Sequence, residues 1–377
     1  MNYSKISLKK HLELKGKIEL KLKDKLDSKD QLSIYYTPGV AAVSSHIYKH
    51  PEDTKKYTWT NNSLAVISDG SAVLGLGNIG PQAALPVMEG KCMLFKNFGN
   101  IDAVPIVLDV HSTEEIVTAV KAIAPSFGAI NLEDIKAPEC FEVERLLIKS
   151  LDIPVMHDDQ HGTAVVVLAG LINATKLTKR QLSNSKIVIS GAGAAGVAIA
   201  KLIHSYSKAN ITAIDSQGII TEKRNGLTPE KAYLATLNKI KHQGSTLKDA
   251  LQGADIFIGV STSNLLTAKD IKSMAKDPIV FAMANPDPEI MPDIAKKAGA
   301  AIVATGRSDF PNQINNVLAF PGIFRGALDN NVKRITEKHK VKAAEALASI
   351  VKKPTASEII PSPLNPKIVP IISKVIE

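Results

Sequence analysis

Lys186-Ile187-Val188-Ile189-Ser190-Gly191-Ala192-Gly193-Ala194-Ala195-Gly196 decides the fold class. Five residues dominated by β-branched side chains read as a buried strand, and Val197 to Ser207 reads as the helix that follows. Between them lies Gly-x-Gly-x-x-Gly, the spacing of a dinucleotide-binding turn. The first glycine permits the tight turn, the second lets a pyrophosphate approach the backbone, and the third lets helix and strand pack closely. The helix N-terminus, which Ala194 and Ala195 open, offers partial positive charge to the phosphates. The next strand ends at Asp215, 19 positions beyond Gly196 (215 − 196), where an acid is expected to grip the adenine ribose. Gly191, Gly193, Ala194, Ala195, Gly196 and Asp215 are therefore the candidate cofactor residues. A carboxylate at Asp215 favours NAD, because it would repel the 2′-phosphate of NADP, and Ser216-Gln217 supply no adjacent cation. Lys223 and Arg224 lie further on and can fold back, which leaves NADP open.

A second match, Gly75-Leu76-Gly77-Asn78-Ile79-Gly80, also precedes a helix, with Pro81 suited to its first turn. The next strand ends at Asp109, 29 positions on (109 − 80), too late for a ribose contact. This loop is read as a packing turn or a substrate-side loop.

Outward from the fingerprint, strand-like and helix-like stretches alternate in both directions. Strands are expected at Leu64 to Ser68, Val104 to Leu108, Ile130 to Leu132 and Ile153 to Met156, then at Ile211 to Ile214, Asp255 to Val260, Ile279 to Met283 and Ala301 to Ala304. Helices are expected at Pro81 to Phe95, Ser112 to Ala124, Glu139 to Ser150 and Ala164 to Thr175. Such alternation argues for an α/β fold of two domains: an N-terminal α/β catalytic domain, residues 1–161, and a Rossmann-type doubly wound parallel sheet, residues 162–377. Residues from about 322 to 377 are expected as a helical tail packing back on the first domain. The Lys/Leu-rich first forty residues read as an amphipathic helical region ending at the turn Thr37-Pro38-Gly39.

Composition narrows the function classes. Hydrophobic residues at 45% and charged residues at 22% are ordinary for a globular chain. The net charge of +9 is spread among interleaved acids and bases, and aromatic content is only 5%, so no nucleic-acid partner is expected. Cys92 and Cys140 form no Cys-x-x-Cys pair, which fits a reducing compartment. Lys9, Lys10, Lys15 and Lys17 interrupt any apolar leader, and Ala164 to Ile172 is far shorter than the roughly 20 residues that span a bilayer. No membrane partner and a cytoplasmic location are expected.

Two acidic pairs end strands of the first domain, Glu133-Asp134 and Asp158-Asp159. Converging carboxylates suit a hard cation such as Mg²⁺ or Mn²⁺, although acids at strand ends also serve as helix caps and surface groups. His157-Asp158-Asp159-Gln160-His161 has the His-x-x-x-His spacing of a zinc protease. The residue beside the first histidine is Asp rather than Glu, and the preceding residues read as a strand, which argues against that chemistry. Tyr36 in its Pro-Gly turn and Lys91 after Gly90 can act as acid and base once burial tunes them; on residue chemistry alone they read equally as a packing tyrosine and a surface lysine.

Taken together, the motifs resemble the malic enzymes in their short bacterial form. They are Tyr35 to Ala41, Ser68 to Asn78, Met88 to Lys91, Asn131 to Asp134, His157 to Thr163, Ala284 to Pro286, Gly306 to Asp309 and Asn315 to Gly322, in the family's order. The resemblance implies oxidative decarboxylation of malate to pyruvate and CO₂, with NAD(P)⁺ reduced and a divalent metal required. It implies that Glu133, Asp134 and Asp159 hold the metal, which would chelate the substrate and stabilise the enolate left by CO₂. Lys91 would be the general base and touch substrate, Tyr36 would protonate the enolate, and Asp158 would orient Lys91. Asn285 and Asn315 would bind substrate carboxylate or the nicotinamide ribose. A homodimer is expected, without the acetyltransferase-like extension of some bacterial relatives. One departure stands out: Ser71-Ala72-Val73 lacks the arginine with which larger relatives bind a substrate carboxylate, and Ser71, Lys91 and Arg307 are the candidates to replace it.

Rival readings remain at this point. A malolactic-type enzyme would retain NADH and release lactate, a metal-dependent hydrolase would use the Gly-rich loop only structurally, and a silent binding protein would need none of the site chemistry.

Overall fold

The computed structural model describes residues 3–73, 75–110 and 112–377. The chain opens with α1 (Tyr3–Leu14), α2 (Lys29–Tyr35), α3 (Val40–Lys49) and the short α4 (Thr54–Tyr57). There follow β1 (Ser63–Ser68), α5 (Gly80–Gly99), β2 (Asp102–Val107), α6 (Thr113–Ile123), β3 (Ala129–Leu132), α7 (Glu139–Ser150) and β4 (Val155–His157). These four strands form one parallel sheet in the order β2-β1-β3-β4. β1 is buried along its whole length, as expected of a parallel strand covered on both faces. Pro105 sits in β2 at the sheet edge, where a missing N–H leaves no ladder bond unmade.

α8 (Asp158–Leu177) leads into the second sheet. Its elements are β5 (Lys186–Ser190), α9 (Ala194–Ser207), β6 (Asn210–Asp215), β7 (Gly218–Ile219), α10 (Pro229–Leu237), α11 (Leu247–Leu251), β8 (Ile256–Gly259), α12 (Ala268–Ser273), β9 (Ile279–Ala282), α13 (Pro292–Lys297) and β10 (Ile302–Thr305). The order is β10-β9-β8-β5-β6-β7, parallel except for β7, which turns back on β6. The order reverses between β5 and β8, and a doubly wound sheet opens its ligand crevice outside the carboxyl ends of such a pair.

α8 begins six residues before the expected Ala164. Asp158 and Asp159 occupy its first turn, where acids complement the helix dipole. Fourteen of its residues are buried, so it is a core helix rather than an amphipathic surface one. One continuous core runs along it, joining Leu64, Val66 and Phe95 of the first sheet layer to Ile187, Ile189 and Phe281 of the second. After β10 come α14 (Phe320–Asp329), α15 (Glu337–Ser349) and α16 (Ile368–Ser373). Phe320 and Phe324 of α14 lie with ring centroids 4.7 and 5.5 Å from Phe95 on α5.

The N-terminal region is less continuous than its Lys/Leu pattern predicts. Residues 15–28 form no regular helix, and α1, α2 and α3 contain no buried residue. Leu8, Leu12 and Leu14 of α1 and Leu32 of α2 are exposed. Among the described residues, no helix is long and apolar enough to cross a membrane.

Cys92 on α5 and Cys140 on α7 are both buried, and burial pushes each thiol up to about 12. At pH 8 only about one thiol in 10⁴ is then ionised. Iodoacetamide followed by mass spectrometry is expected to leave both unlabelled in the folded protein and to modify both in denaturant. Rapid labelling of either in native buffer would show that the core around it opens.

Candidate active site

β3 and β4 are adjacent and parallel, with Leu132 opposite His157, so the chain leaves both strands side by side. That register brings Glu133-Asp134 beside Asp158-Asp159. Carboxylate oxygens of Glu133, Asp134 and Asp159 lie within 4.8 Å of one another. The Asp134 backbone N–H donates to Asp159 Oδ2 at 2.8 Å, and Asn131 Nδ2 donates to Glu133 Oε2 at 2.8 Å. Lys91 descends on this cluster from α5. Its Nζ lies 2.6 Å from Asp158 Oδ2, 2.8 Å from Glu133 Oε1 and 4.2 Å from the centre of the Phe320 ring.

Electrostatics here are dominated by burial. Lys91 is 7% exposed, and burial alone would disfavour its charge, but Asp158, Glu133 and Asp159 outweigh that cost and hold it firmly protonated. Burial raises the Glu133 carboxyl well above its ordinary range; Lys91 counters this, and the acids Asp159, Asp158 and Asp134 add to it. Asp158 is raised as well, chiefly by burial, and its Oδ1 has no hydrogen-bond partner among the described residues. Asp158, Glu133 and Asp159 thus act on the Lys91 ammonium, with Asp134 adding its charge beside Glu133. The hard oxygen donors of Glu133, Asp134 and Asp159, gathered within 4.8 Å and carrying an excess of negative charge, fit a divalent cation.

A second buried network braces the turn behind these acids. Glu144 on α7 accepts the His157 backbone N–H at 2.8 Å and the His161 Nε2–H at 2.8 Å. Lys340 of α15 donates to His161 Nδ1 at 2.9 Å. Burial opposes the charge on Glu144, yet His161 and Lys340 bring its carboxyl down to about 2, while burial lowers both His161 and Lys340. His161 is therefore committed to Glu144 and Lys340, and His157 ends β4 ahead of the first turn of α8, so the two histidines do not share a helical face as a zinc protease needs. Sequence reasoning missed Glu144 and Lys340, although a signal existed. Cys140, Val143, Glu144 and Leu147 form one buried helical stripe, so a carboxylate stands where an apolar residue is expected.

The dinucleotide fingerprint forms as expected. Gly191 has φ +111°, and a Cβ at Gly196 would collide with the Gly191 carbonyl oxygen. A Cβ at Gly193 would meet no protein atom, because its peptide faces a cleft of about 770 Å³. Ala137, Pro138 and Phe141 line this cleft from the first-sheet side, opposite Gly191 and Gly193. Ala194 and Ala195 begin α9. Glu289, which sequence reasoning also missed, is buried and accepts the N–H groups of Ser261 at 3.2 Å and Ala284 at 3.0 Å, tying the carboxyl ends of β8 and β9 together. Asp215 carries two cations: Arg224 folds back to 2.6 Å, as the sequence allowed, and Lys231 of α10, which sequence reasoning missed, reaches 2.8 Å.

The remaining candidates scatter. Asn285 is exposed, and its carbonyl oxygen approaches Gly75, which places the second Gly-rich loop against the end of β9. That loop is a tight turn bridged between Val73 and Gly77; Leu74 lies outside the described residues. The Asn315 side chain caps the following turn, accepting the Val317 N–H at 2.9 Å. Of the carboxylate-binding candidates, Arg307 is engaged by Asp309 and Asp287, and Ser71 donates to Asp69 and accepts the Lys136 N–H. Tyr36 is 67% exposed, and Lys91 is bonded to the carboxylates rather than to it.

The family pattern described as "Malic enzyme, NAD binding domain" matches residues 160–375, and "Malic enzyme, N-terminal domain" matches 15–115 and 110–148. A bifunctional malic/malolactic enzyme of Bacillus subtilis is 52% identical over 348 residues, covering 92% of this chain and 85% of that one. An NAD-dependent malic enzyme of Geobacillus stearothermophilus is 54% identical over 340 residues, covering 90% and 71% respectively. The crystal structure of an NAD-dependent malic enzyme from Thermotoga maritima superposes with a TM-score of 0.95 at 47% identity, covering 98% of each chain. With two thirds or more of each of these relatives covered at such identity, the chain belongs to the malic enzyme family.

Proposed function

We propose that the chain converts malate to pyruvate and CO₂ while reducing a nicotinamide dinucleotide, with a divalent cation at Glu133, Asp134 and Asp159. The observation that carries this reading is Lys91 set between Glu133 and Asp158, at the carboxyl ends of one parallel sheet. Residues 1–161 would supply the substrate side and residues 162–377 the dinucleotide side, in the cytoplasm. NAD fits the acid at Asp215.

Once Lys91 has given up the proton that its carboxylates hold on it, it takes the C2 hydroxyl proton as hydride leaves for the nicotinamide. A divalent cation at the three acids would polarise the substrate oxygens and draw off part of the charge on Glu133 that keeps Lys91 protonated. Asp158 keeps the lysine aimed at the substrate throughout. Loss of CO₂ leaves an enolate that needs a proton at C3, and Tyr36 supplies it. A homodimer accounts for the bare N-terminal face, where Tyr3, Leu8, Leu12, Leu20, Ile34 and Tyr36 are exposed. Sedimentation of the chain at dilute concentration is expected to give twice the mass of one chain; a monomer would remove that account.

A malolactic outcome is the second reading, favoured by the name of the Bacillus subtilis relative. The same residues serve it, with NADH retained to reduce pyruvate. Lactate release without NADH accumulation would select it.

Three substitutions test the assignment. Asp159→Ala is expected to lower kcat/KM for malate by more than about 100-fold while dinucleotide affinity is kept. Lys91→Ala is expected to cost about 10²–10⁴-fold in both malate oxidation and oxaloacetate decarboxylation. Nicotinamide absorbance with malate, Mn²⁺ and dinucleotide reads malate oxidation, pyruvate formation from oxaloacetate reads the decarboxylation, and near-normal rates would refute the roles. Glu144→Ala, which strands Lys340 and unties His157, is expected to destabilise the fold by about 3–5 kcal/mol in urea denaturation. A change below about 1 kcal/mol would mean that the network braces nothing.

A further inference from the structure

Residues 15–28 cross the first domain as an irregular strap. Lys17 Nζ donates to the Pro86 carbonyl and ties the start of the strap to α5. Beyond that tie, residues 18–23 form one wall of a cavity of about 1570 Å³. Its lining shares no residue with the carboxylate cluster or the dinucleotide cleft. The facing wall comes from the chain around Lys55 to Asn62, the second half of α5, the start of β2, and α14.

Charge in this cavity is one-sided. Six basic and three acidic side chains line it. Two of the acids are already used: Asp102 pairs with Lys96 at 2.8 Å, and Asp329 pairs with Arg325. Lys56 is held by Asp53, outside the lining. Lys21, Lys23 and Lys55 make no ion pair among the described residues, and Glu19 is the one lining acid that is also unpaired. Lys55 is half-buried, and its Nζ reaches only the Asn331 amide oxygen, at 3.3 Å. Burial and the neighbouring Lys333 both hold its charge down. Cations crowded in this way, with no carboxylate to offset them, are relieved by an anion from solution.

The floor is preformed. Arg325 Nη1 donates to Asn62 Oδ1 at 2.6 Å, and Asn62 Nδ2 donates to Asp102 Oδ2 at 2.8 Å and to the Asn100 carbonyl at 2.9 Å. These bonds fasten α14 to the end of α5 and the start of β2. Leu328 and Trp59, the latter with its ring centroid 5.8 Å from that of Phe127, add apolar surface. Concave shape, apolar walls and a few converging charges are the features of a small-molecule site. Lysine binds phosphate as a point charge and lacks the planar fork that matches a carboxylate. Three such charges around a cavity of this size suit a chain of phosphates.

We propose that this cavity binds a small polyphosphate, free or carried by a nucleotide, on Lys21, Lys23 and Lys55. In a nucleotide, the base lies against Trp59.

Calorimetry on the full chain, without malate, dinucleotide or divalent cation, uses sodium tripolyphosphate and GTP as probes. Both are expected to bind. Replacing Lys21, Lys23 and Lys55 together by Gln is expected to weaken both by at least about tenfold, whereas Arg at the same three positions is expected to retain them. Lys352→Gln with Lys353→Gln lowers the net charge of +9 outside the cavity lining and is expected to change neither affinity by more than about twofold. Trp59 is the only tryptophan of the chain, so its fluorescence reports a ligand in this cavity directly. Quenching by GTP, with tighter binding than tripolyphosphate, would assign the nucleotide; equal affinities without quenching would assign the free phosphate chain. Absence of binding (as when a second copy covers the cavity), equal affinities in wild type and the Gln variant, or an equal loss in the Lys352 and Lys353 control would overturn the proposal. Because malate and dinucleotide are omitted, these outcomes are independent of whether the chain oxidises malate.

Discussion

Lys91 enters a buried pocket with a carboxylate on two sides of it, and the rest of the structure is arranged around keeping those charges together. Four acids repel one another there, and the single ammonium offsets only part of that repulsion. Leaving such groups unpaired away from water costs several kcal/mol each. The cluster persists because backbone constraints place it: the β3–β4 register, the Asp134 N–H on Asp159, and the first turn of α8, whose dipole favours acids. Phe320 then closes over Lys91 from the C-terminal region, giving the cation an aromatic face where water would otherwise solvate it.

α8 carries that constraint into the second sheet. Its first turn bears Asp158 and Asp159, and its body is buried among residues of both layers, with Gly170 close to Phe281. It also packs along α9, whose N-terminus stands at the fingerprint. Acids and dinucleotide turn are therefore placed by the same pair of packed helices. Glu144, His161 and Lys340 fasten the start of α8 to α7 on one side and α15 on the other. A displacement of α8 would disturb the carboxylates and the cleft together.

Most of the fold was legible because strand runs and helix stripes announce themselves locally. Lys186 to Ser190 was read to the residue as β5, and Glu139 to Ser150 as α7. The acids were legible as strand-end residues, and the family motifs supplied Lys91. What escaped were contacts between residues distant in the chain. Lys340 is 179 positions from His161, and nothing near either one reports the other. Glu144 left a local trace as a charge on an apolar stripe, whereas Lys231 looked like an ordinary helix-surface lysine until α10 folded beside β6. The start of α8 was placed late, at Ala164 after an opening at Gly162-Thr163. In the structure Gly162 lies one turn in, where a Cβ would collide with Asp158 Oδ1.

Asp215 shows why position in a fingerprint does not settle the charge seen by a ligand. The rule that an acid at this strand end selects NAD treats the carboxylate as free to accept hydroxyls and to repel phosphate. Repulsion depends on the field of the whole cluster, and two cations within 3 Å outweigh one anion. Solvent screens part of that field, since Lys231 is partly exposed, but its nearness to the cleft keeps its share local. Lys231 holds the acid by one ion pair, whereas Arg224 forks both of its oxygens. The charge at this strand end is thus set by three side chains brought together by β6, the loop after β7 and α10.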